Sequence, residues 1–113
     1  MNINITGRNI DLTPEIKKYV TRKLAKLERF YNRIDRCEVI LEQEKIRCIA
    51  EVVIHLRRTS IVAKESTSDI YASIDNAAEV VTKQLRRLRG KVHAKRRKAV
   101  LARFMGSPDT ERY

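Results

Sequence analysis

The chain has 113 residues, of which 42% are hydrophobic and 35% are charged. This length allows one domain with a modest core, which we place at residues 1–98, followed by a flexible tail at residues 99–113. No apolar run approaches the roughly 18 residues that a membrane-spanning helix needs. The N-terminus is too polar for a signal peptide, so Cys37 and Cys48 are expected to be reduced thiols in a cytoplasmic protein.

Residues 2–6 alternate between polar and apolar side chains, which predicts a short first strand that Gly7 ends. Thr13 and Pro14 then mark the start of a helix, as N-cap and first helical residue. Apolar residues recur at helical spacing, which predicts one helix from Pro14 to about Tyr31. Its apolar side consists of Ile16, Val20, Leu24, Leu27 and Tyr31, and its opposite side of Lys18, Arg22, Lys26 and Arg29.

Three runs of alternating polarity follow, and each predicts a strand. They cover residues 37–42, 46–57 and 60–65. A tight turn at Glu44 and Lys45 would pair Leu41 with Cys48 and would put the apolar residues of both strands on one face. Because Glu-Lys is a poor sequence for a two-residue hairpin turn, a longer loop stays an alternative.

Residues 66–69, Asp69 among them, offer N-cap side chains for a final helix. Its apolar side consists of Ile70, Ile74, Ala77, Ala78, Val81, Leu85, Leu88 and Val92. Beyond Val92 this side fades, so the last turns are expected to project from the domain or to fray. The simplest packing of these elements is an α+β fold, β-α-β-β-β-α, in which both helices cover one face of a four-stranded mixed sheet.

The final helix carries nearly all of the excess charge. The chain has 25 Lys and Arg against 14 Asp and Glu, a net charge of +11. Residues 80–108 contain ten of those basic residues, together with His93, and no acidic residue. Such clustering costs free energy by self-repulsion, which predicts a nucleic-acid partner. A merely solvated face normally mixes signs, and a membrane-surface helix would need more apolar residues than the distal turns offer.

Other kinds of site have little support in the sequence. Residues 35–69 contain no aromatic residue for base stacking, and the chain has neither a G-x-x-G clamp nor a Cys/His spacing for zinc. His55 and His93 stand in no catalytic motif, and Cys37 and Cys48 are interpreted as core residues. We therefore expect Arg and Lys to contact phosphates, with no catalytic residue, metal, cofactor or small-molecule substrate.

Two stretches of the sequence resemble one family. Residues 4–9 (Asn-Ile-Thr-Gly-Arg-Asn) with Thr13 and residues 19–28 resemble the start of the ribosome hibernation promoting factors, a family also called ribosome-associated inhibitor and sigma-54 modulation protein. Residues 69–75 (Asp-Ile-Tyr-Ala-Ser-Ile-Asp), followed by a basic run, resemble its second helix. The resemblance covers about residues 1–98 and is closest to short members, which lack the second domain of long ones.

The resemblance implies a domain akin to double-stranded-RNA-binding modules that binds the small (30S) ribosomal subunit between head and body. There it would contact 16S rRNA, occupy the space of messenger and transfer RNA, block translation and preserve idle ribosomes under stress such as starvation. Lys23 and Lys26 match the first-helix lysines of the family, and the free protein is expected to be a monomer. The predicted rRNA-binding residues are Arg22, Lys23, Lys26, Arg29, Lys83, Arg86, Arg87, Arg89, Lys91, Lys95, Arg96, Arg97 and Lys98.

Two alternatives stay open. One is a general RNA- or DNA-binding module without a preference for ribosomes. The other is a regulator that acts on a protein such as an alternative sigma factor. An enzyme is the class with the least support, because no set of convergent polar groups is visible. The sequence does not decide whether such a factor pairs ribosomes or keeps single ribosomes inactive.

Overall fold

The computed structural model describes residues 2–31 and 33–105, with the backbone alone for Phe30 and residues 89–105. Its elements, in chain order, are β1 (Asn2–Arg8), α1 (Pro14–Ala25), α2 (Leu27–Phe30), β2 (Ile34–Glu44), β3 (Arg47–Leu56), β4 (Ser60–Thr67) and α3 (Ile70–Met105). The strands form one sheet in the order β1-β2-β3-β4, in which β1 is parallel to β2 and the other neighbours are antiparallel. This confirms the predicted α+β fold with a four-stranded mixed sheet.

The core lies between one face of the sheet and the helices. Every second residue of β3 is buried, and alternate residues of β2 and β4 point to the same face. The helices complete the core with most of the apolar residues that the periodicity predicted, although Tyr31 and Leu88 are only half-buried and the side chain of Val92 lies outside the described part. Among them, Val20 and Leu24 of α1 and Val81 and Leu85 of α3 are fully buried. The helices therefore cover one face, and no described element covers the other.

The first predicted helix is divided in two. Thr13 caps α1 through its hydroxyl, as predicted, but α1 ends at Ala25. A turn at Lys26 separates it from α2, so the expectation of one continuous helix to Tyr31 was wrong. The Arg29 N–H donates to the Lys26 carbonyl at 3.1 Å, a three-residue spacing that tightens the chain. Tyr31 is already extended, with φ −151°, and leads towards β2.

The β2–β3 hairpin has a different register from the predicted one. Its turn consists of Lys45 and Ile46, one residue later than expected, and Leu41 pairs with Ala50 rather than Cys48. Lys45 has a φ of 57°, the left-handed conformation that two-residue hairpin turns favour. Because the pairing moves by two residues, each side chain keeps its predicted face.

Gly7 lies inside β1 rather than ending it, which corrects the prediction. The strand continues to Arg8, and Asn9 then turns the chain with a φ of 57°. A Cβ on Gly7 would lie 2.9 Å from Cγ of Leu12 and 3.0 Å from the carbonyl oxygen of Ile10. The glycine is therefore needed because the loop after β1 packs closely against the strand.

Polar contacts in its first turn fix the start of α3. Asp69 precedes the helix, and its Oδ1 accepts a hydrogen bond from the Tyr71 N–H at 3.2 Å, the capping role expected for it. Ser73 is fully buried and donates to the carbonyl oxygen of Cys48 at 2.6 Å. The Ser73 hydroxyl also lies 2.8 Å from that of Thr67. These bonds join the helix to β3 and β4.

The backbone of α3 is helical over 36 residues, which corresponds to about 54 Å at 1.5 Å per residue. The predicted flexible tail begins inside this helix, at residue 99. Its part from residue 106 onward lies outside the described residues. The limit of the domain at residue 98 stays a prediction.

The Cys37 thiol predicts a loss of stability at alkaline pH. Its side chain is fully buried in β2, and desolvation, with a smaller effect of Glu38, raises its pKa from 9.0 to about 12. The thiol ionises more readily in the unfolded chain, so its contribution is complete below about pH 9 and is lost as the pH rises towards 12. We expect the free energy of unfolding, measured by urea titration, to fall by up to about 1.4 kcal/mol per pH unit from this group.

The control is Cys37→Ala, which removes the thiol and leaves the other titrating groups in place. We expect this variant to be less stable at neutral pH because of the cavity, but to lose stability less steeply above about pH 9. Parallel stability profiles for the two proteins would contradict the role assigned to the thiol.

Candidate nucleic-acid interface

The first and last helices lie side by side and run in the same direction. Tyr19 of α1 contacts Tyr71 near the start of α3, with ring centroids 4.9 Å apart in a T-shaped arrangement. Farther along both segments, Tyr31 and Leu88 line one cavity. The solvent-facing sides of α1, α2 and α3 therefore form one surface, which we call the helical face.

The helical face contains all the predicted rRNA-binding residues whose side chains are described. Lys23 is half-buried, and the exposed ones are Arg22, Lys26, Arg29, Lys83, Arg86 and Arg87. The remaining predicted residues belong to the helical backbone of α3, and their side chains lie outside the described part; they are Arg89, Lys91, Lys95, Arg96, Arg97 and Lys98. Contact of any of these residues with rRNA stays a prediction.

A polar bridge joins α1 to α3 within the helical face. The Tyr19 hydroxyl donates to Oδ1 of Asp75 at 2.5 Å, and Nζ of Lys23 lies 3.2 Å from the same oxygen. Desolvation acts to raise the pKa of Asp75, but the Tyr19 hydrogen bond and the Lys23 ammonium outweigh it and lower the pKa overall. The same hydrogen bond is the main cause of the raised pKa of Tyr19. This bridge fixes the spacing between the two cation-bearing helices.

Tyr19 also orients two of the predicted cations. The guanidinium carbon of Arg22 is 5.4 Å from the ring centroid, and Nζ of Lys23 is 5.6 Å from it. Both distances are within the roughly 6 Å that a cation–π contact allows. Side chains that are already oriented lose less conformational entropy on binding any partner.

The cations of α3 have little acidic compensation on their own helix. Lys83 pairs with Glu79 one turn earlier, at 3.6 Å. Both side chains are largely exposed, so this pair contributes only about 0.3–0.5 kcal/mol. No acidic residue follows Glu79 until Asp109, beyond the end of α3. The second half of the helix is therefore suited to an anionic partner.

On the opposite face of the sheet, the structure brings polar partners to His55. Its Nε2 lies 2.6 Å from Oε1 of Glu38, and its Nδ1 lies 3.4 Å from Oγ of Ser60. The hydrogen bond with His55 lowers the pKa of Glu38. The Ser60 contact is long for a hydrogen bond, and Ser60 is exposed. We interpret the group as a cross-strand polar row rather than as a nucleophile with its base.

Sequence reasoning missed the residues that organise the helical face. Neither Tyr19 nor Asp75 belongs to the predicted set, although both lie within the stretches that carry the family resemblance. One signal was present, because Tyr19 and Lys23 are one turn apart and can reach the same atom on a neighbouring helix. The partner on α3 is 56 residues away in the chain, and no local pattern identifies it.

The chemistry that this arrangement supports is the binding of anions. Within the described residues, no three His, Cys, Asp or Glu side chains gather into a group that could hold a metal ion. None of the helices, over the same residues, combines the length and the apolar character that a bilayer crossing requires.

Comparison with known proteins identifies relatives over most of the described chain. The model of the family described as sigma 54 modulation protein / S30EA ribosomal protein matches residues 3–93. Ribosome hibernation promoting factors of Klebsiella oxytoca and Escherichia coli (strain K12) are 36% and 34% identical over 92 residues, 81% of this chain and 97% of each relative.

Solved structures agree with the fold. The N-terminal domain of Thermus thermophilus Protein Y matches with a TM-score of 0.73 and 32% identity, over 78% of this chain and 99% of that domain. A ribosomal subunit interface protein from Coxiella burnetii has a TM-score of 0.75 at 22% identity, over 80% of this chain and 99% of its own. The second match supports the fold alone.

The bridge between α1 and α3 is tested by removing the Tyr19 hydroxyl. We expect Tyr19→Phe to lower the free energy of unfolding by about 1 kcal/mol, a modest value because Asp75 is partly exposed. The pKa of Asp75, followed by carboxyl NMR, should rise in this variant, since it loses one of the two partners that lower it. Stability that depends on ionised Asp75 is present above its unfolded-state pKa and is lost as the pH falls through its lowered folded-state pKa.

Tyr71→Phe is the matched control, because the Tyr71 hydroxyl has no hydrogen-bond partner among the described residues. We expect its stability to lie within about 0.5 kcal/mol of the original. Equal losses for the two variants, or an unchanged Asp75 pKa in Tyr19→Phe, would show that the hydrogen bond has no special role.

Proposed function

Because this chain belongs to the family of sigma 54 modulation proteins and S30EA ribosomal proteins, we propose that it is a ribosome hibernation factor. The observation that carries the proposal is the helical face, where the described cations of α1, α2 and α3 lie on one side of the domain. The names of the relatives, ribosome hibernation promoting factors, point to the same partner.

The proposed target is the decoding channel of the small (30S) ribosomal subunit in the cytoplasm. Arg and Lys of the helical face would bind phosphates of 16S rRNA, which positions the protein without reading base sequence. The domain would then exclude messenger and transfer RNA by its volume. This mechanism is steric and needs no bond to be made or broken, so translation is inhibited without enzymatic chemistry.

Electrostatics sets the expected strength of binding. Each phosphate contact releases counterions, so the affinity falls linearly with the logarithm of the salt concentration. If about six phosphates are contacted, the log–log slope is about −5 by the duplex coefficient. The exposed cations described on the helical face are numerous enough for such a contact set.

A second candidate function comes from the family description, which includes modulation of sigma 54. A regulator of this kind would bind a protein, and its complex would survive nuclease treatment. The helical face favours the ribosome, because a strongly basic surface fits a polyanion better than it fits an average protein surface. A general RNA-binding module would share this surface but would bind free RNA as well as it binds ribosomes.

Sedimentation through sucrose gradients distinguishes these functions. We expect the purified monomeric protein to migrate with small subunits and whole ribosomes at moderate salt and to reduce the binding of messenger RNA. An added ribosome-dimer peak would identify a dimer-promoting factor. Protein that stays at the top of the gradient, or that is removed equally by any competing RNA, would contradict the proposed function.

Charge reversal on α3 tests the proposed surface. We expect the combined substitution of Arg86, Arg87 and Arg89 by Glu to abolish co-sedimentation with ribosomes, because it replaces attraction to phosphate by repulsion. The matched control reverses Arg36, Lys45 and Lys64, exposed residues of the sheet and its turn. Circular dichroism verifies that both variants fold. Binding retained by the α3 variant, or lost equally in the control, would exclude the helical face as the contact surface.

A further inference from the structure

A cavity of about 320 Å³ lies where α2 ends, at the edge of the helical face. None of the described residues that line it belongs to the predicted rRNA-binding set. Its walls combine three apolar or aromatic side chains, Tyr31, Leu56 and Leu88, with the guanidinium-bearing Arg33, Arg57 and Arg58. Its volume is near the lower end of the roughly 300–1,000 Å³ found for ligand pockets, so the space suits one small ligand.

The turn between β3 and β4 presents two of these arginines. The Leu56 N–H donates to the Thr59 carbonyl at 2.8 Å, so Arg57 and Arg58 are the central residues of a tight hairpin turn. Such turns favour Asn and Gly, because positive φ angles match the twist of the strands. Neither arginine has a positive φ. Turn geometry therefore permits arginine at both positions without requiring it.

The charge of the cavity is uncompensated within its walls. Arg33, Arg57 and Arg58 contribute three positive charges, and the described lining contains no acidic residue. Among the side chains that the structure describes, no carboxylate pairs with these three groups. Mutual repulsion is relieved by an anion, and the planar guanidinium group matches the geometry of a phosphate.

The other walls are suited to a flat, largely apolar group. Leu56 is buried, and Tyr31 and Leu88 are half-buried, so their apolar surfaces border the cavity beside the cations. Bases stack on aromatic rings and on guanidinium planes, and this stacking tolerates any base. A ligand that fills both halves of the cavity therefore carries a phosphate next to a planar ring.

We propose that this cavity binds one nucleotide unit, with its phosphate on the arginines of the β3–β4 turn and its base against Tyr31. The nucleotide is either free or one unit of an RNA strand, since both present the same groups. The site is separate from the cations of the helical face and does not depend on ribosome binding.

The proposal is tested by titrating the full chain, uniformly labelled with ¹⁵N, with adenosine 5′-monophosphate, inorganic phosphate and a hexa-adenylate RNA. We expect chemical-shift changes centred on Tyr31, residues 56–59 and Leu88. Adenosine monophosphate should bind at least about fivefold more tightly than phosphate, since one stacked base contributes about 1–3 kcal/mol. Tight binding of the mononucleotide indicates a free ligand, and tight binding of the hexamer alone indicates an RNA strand. Equal binding of phosphate, or shifts that leave Tyr31 and residues 56–59 unchanged, would overturn the proposal.

Variants separate the two halves of the site. We expect Arg57→Gln with Arg58→Gln to weaken the binding of both the nucleotide and phosphate by at least tenfold. Tyr31→Leu should weaken the nucleotide alone. The control, Lys45→Gln with Lys64→Gln, removes the same charge elsewhere on the sheet and should leave affinity unchanged. An equal loss of affinity in the control would show that the arginines act only through non-specific charge. Ribosome co-sedimentation of the same proteins is measured separately. The nucleotide site and the ribosome-binding function can therefore fail independently of each other.

Discussion

The burial of the first half of α3 against the sheet fixes where the rest of that helix can go. Its apolar side, from Ile70 to Leu85, is buried in the core, and the Ser73 hydroxyl is bonded to the backbone of β3. Because the helix is continuous, the position of its buried half sets the direction of the remaining turns. The charged turns beyond Leu88 are therefore part of the same rod as the core. In a flexible segment the basic residues would move apart by repulsion, whereas the helix holds their backbone positions along one axis.

Charge is also distributed unevenly between the two faces of the protein. The described cations of α1, α2 and α3 lie on the helical face, whereas the opposite face of the sheet mixes acidic residues such as Glu38 and Glu51 with the basic Arg36 and Lys64. A charge distribution of this kind orients a protein as it approaches a polyanion. The bridge from Tyr19 to Asp75 then keeps α1 and α3 at a fixed spacing. Orientation and rigidity together suit a protein that acts by occupying space.

The cavity beside the β3–β4 turn extends this surface by another route. One of its arginines, Arg33, immediately precedes β2, and the other two lie in the β3–β4 turn, so none belongs to a helix. Its apolar walls distinguish it from the open helical face. The helical face offers charge with few apolar contacts, which suits the proposed contact with a phosphate backbone. The cavity adds apolar walls beside its cations, and these are the basis of the separate proposal that it binds a nucleotide.

The sequence by itself determined the element types, the buried side of each element and the helix with the excess charge, because periodicity, capping residues and charge are local properties. It left open the hairpin register, since a shift of two residues preserves every face, and it missed the break at Lys26. Tertiary structure alone decided these points, together with the need for Gly7 beneath Leu12. It also brought Tyr19 to Asp75 and assembled the arginine cavity. The bridge and the cavity depend on groups far apart in the chain, whose meeting is set by the packing of the whole core.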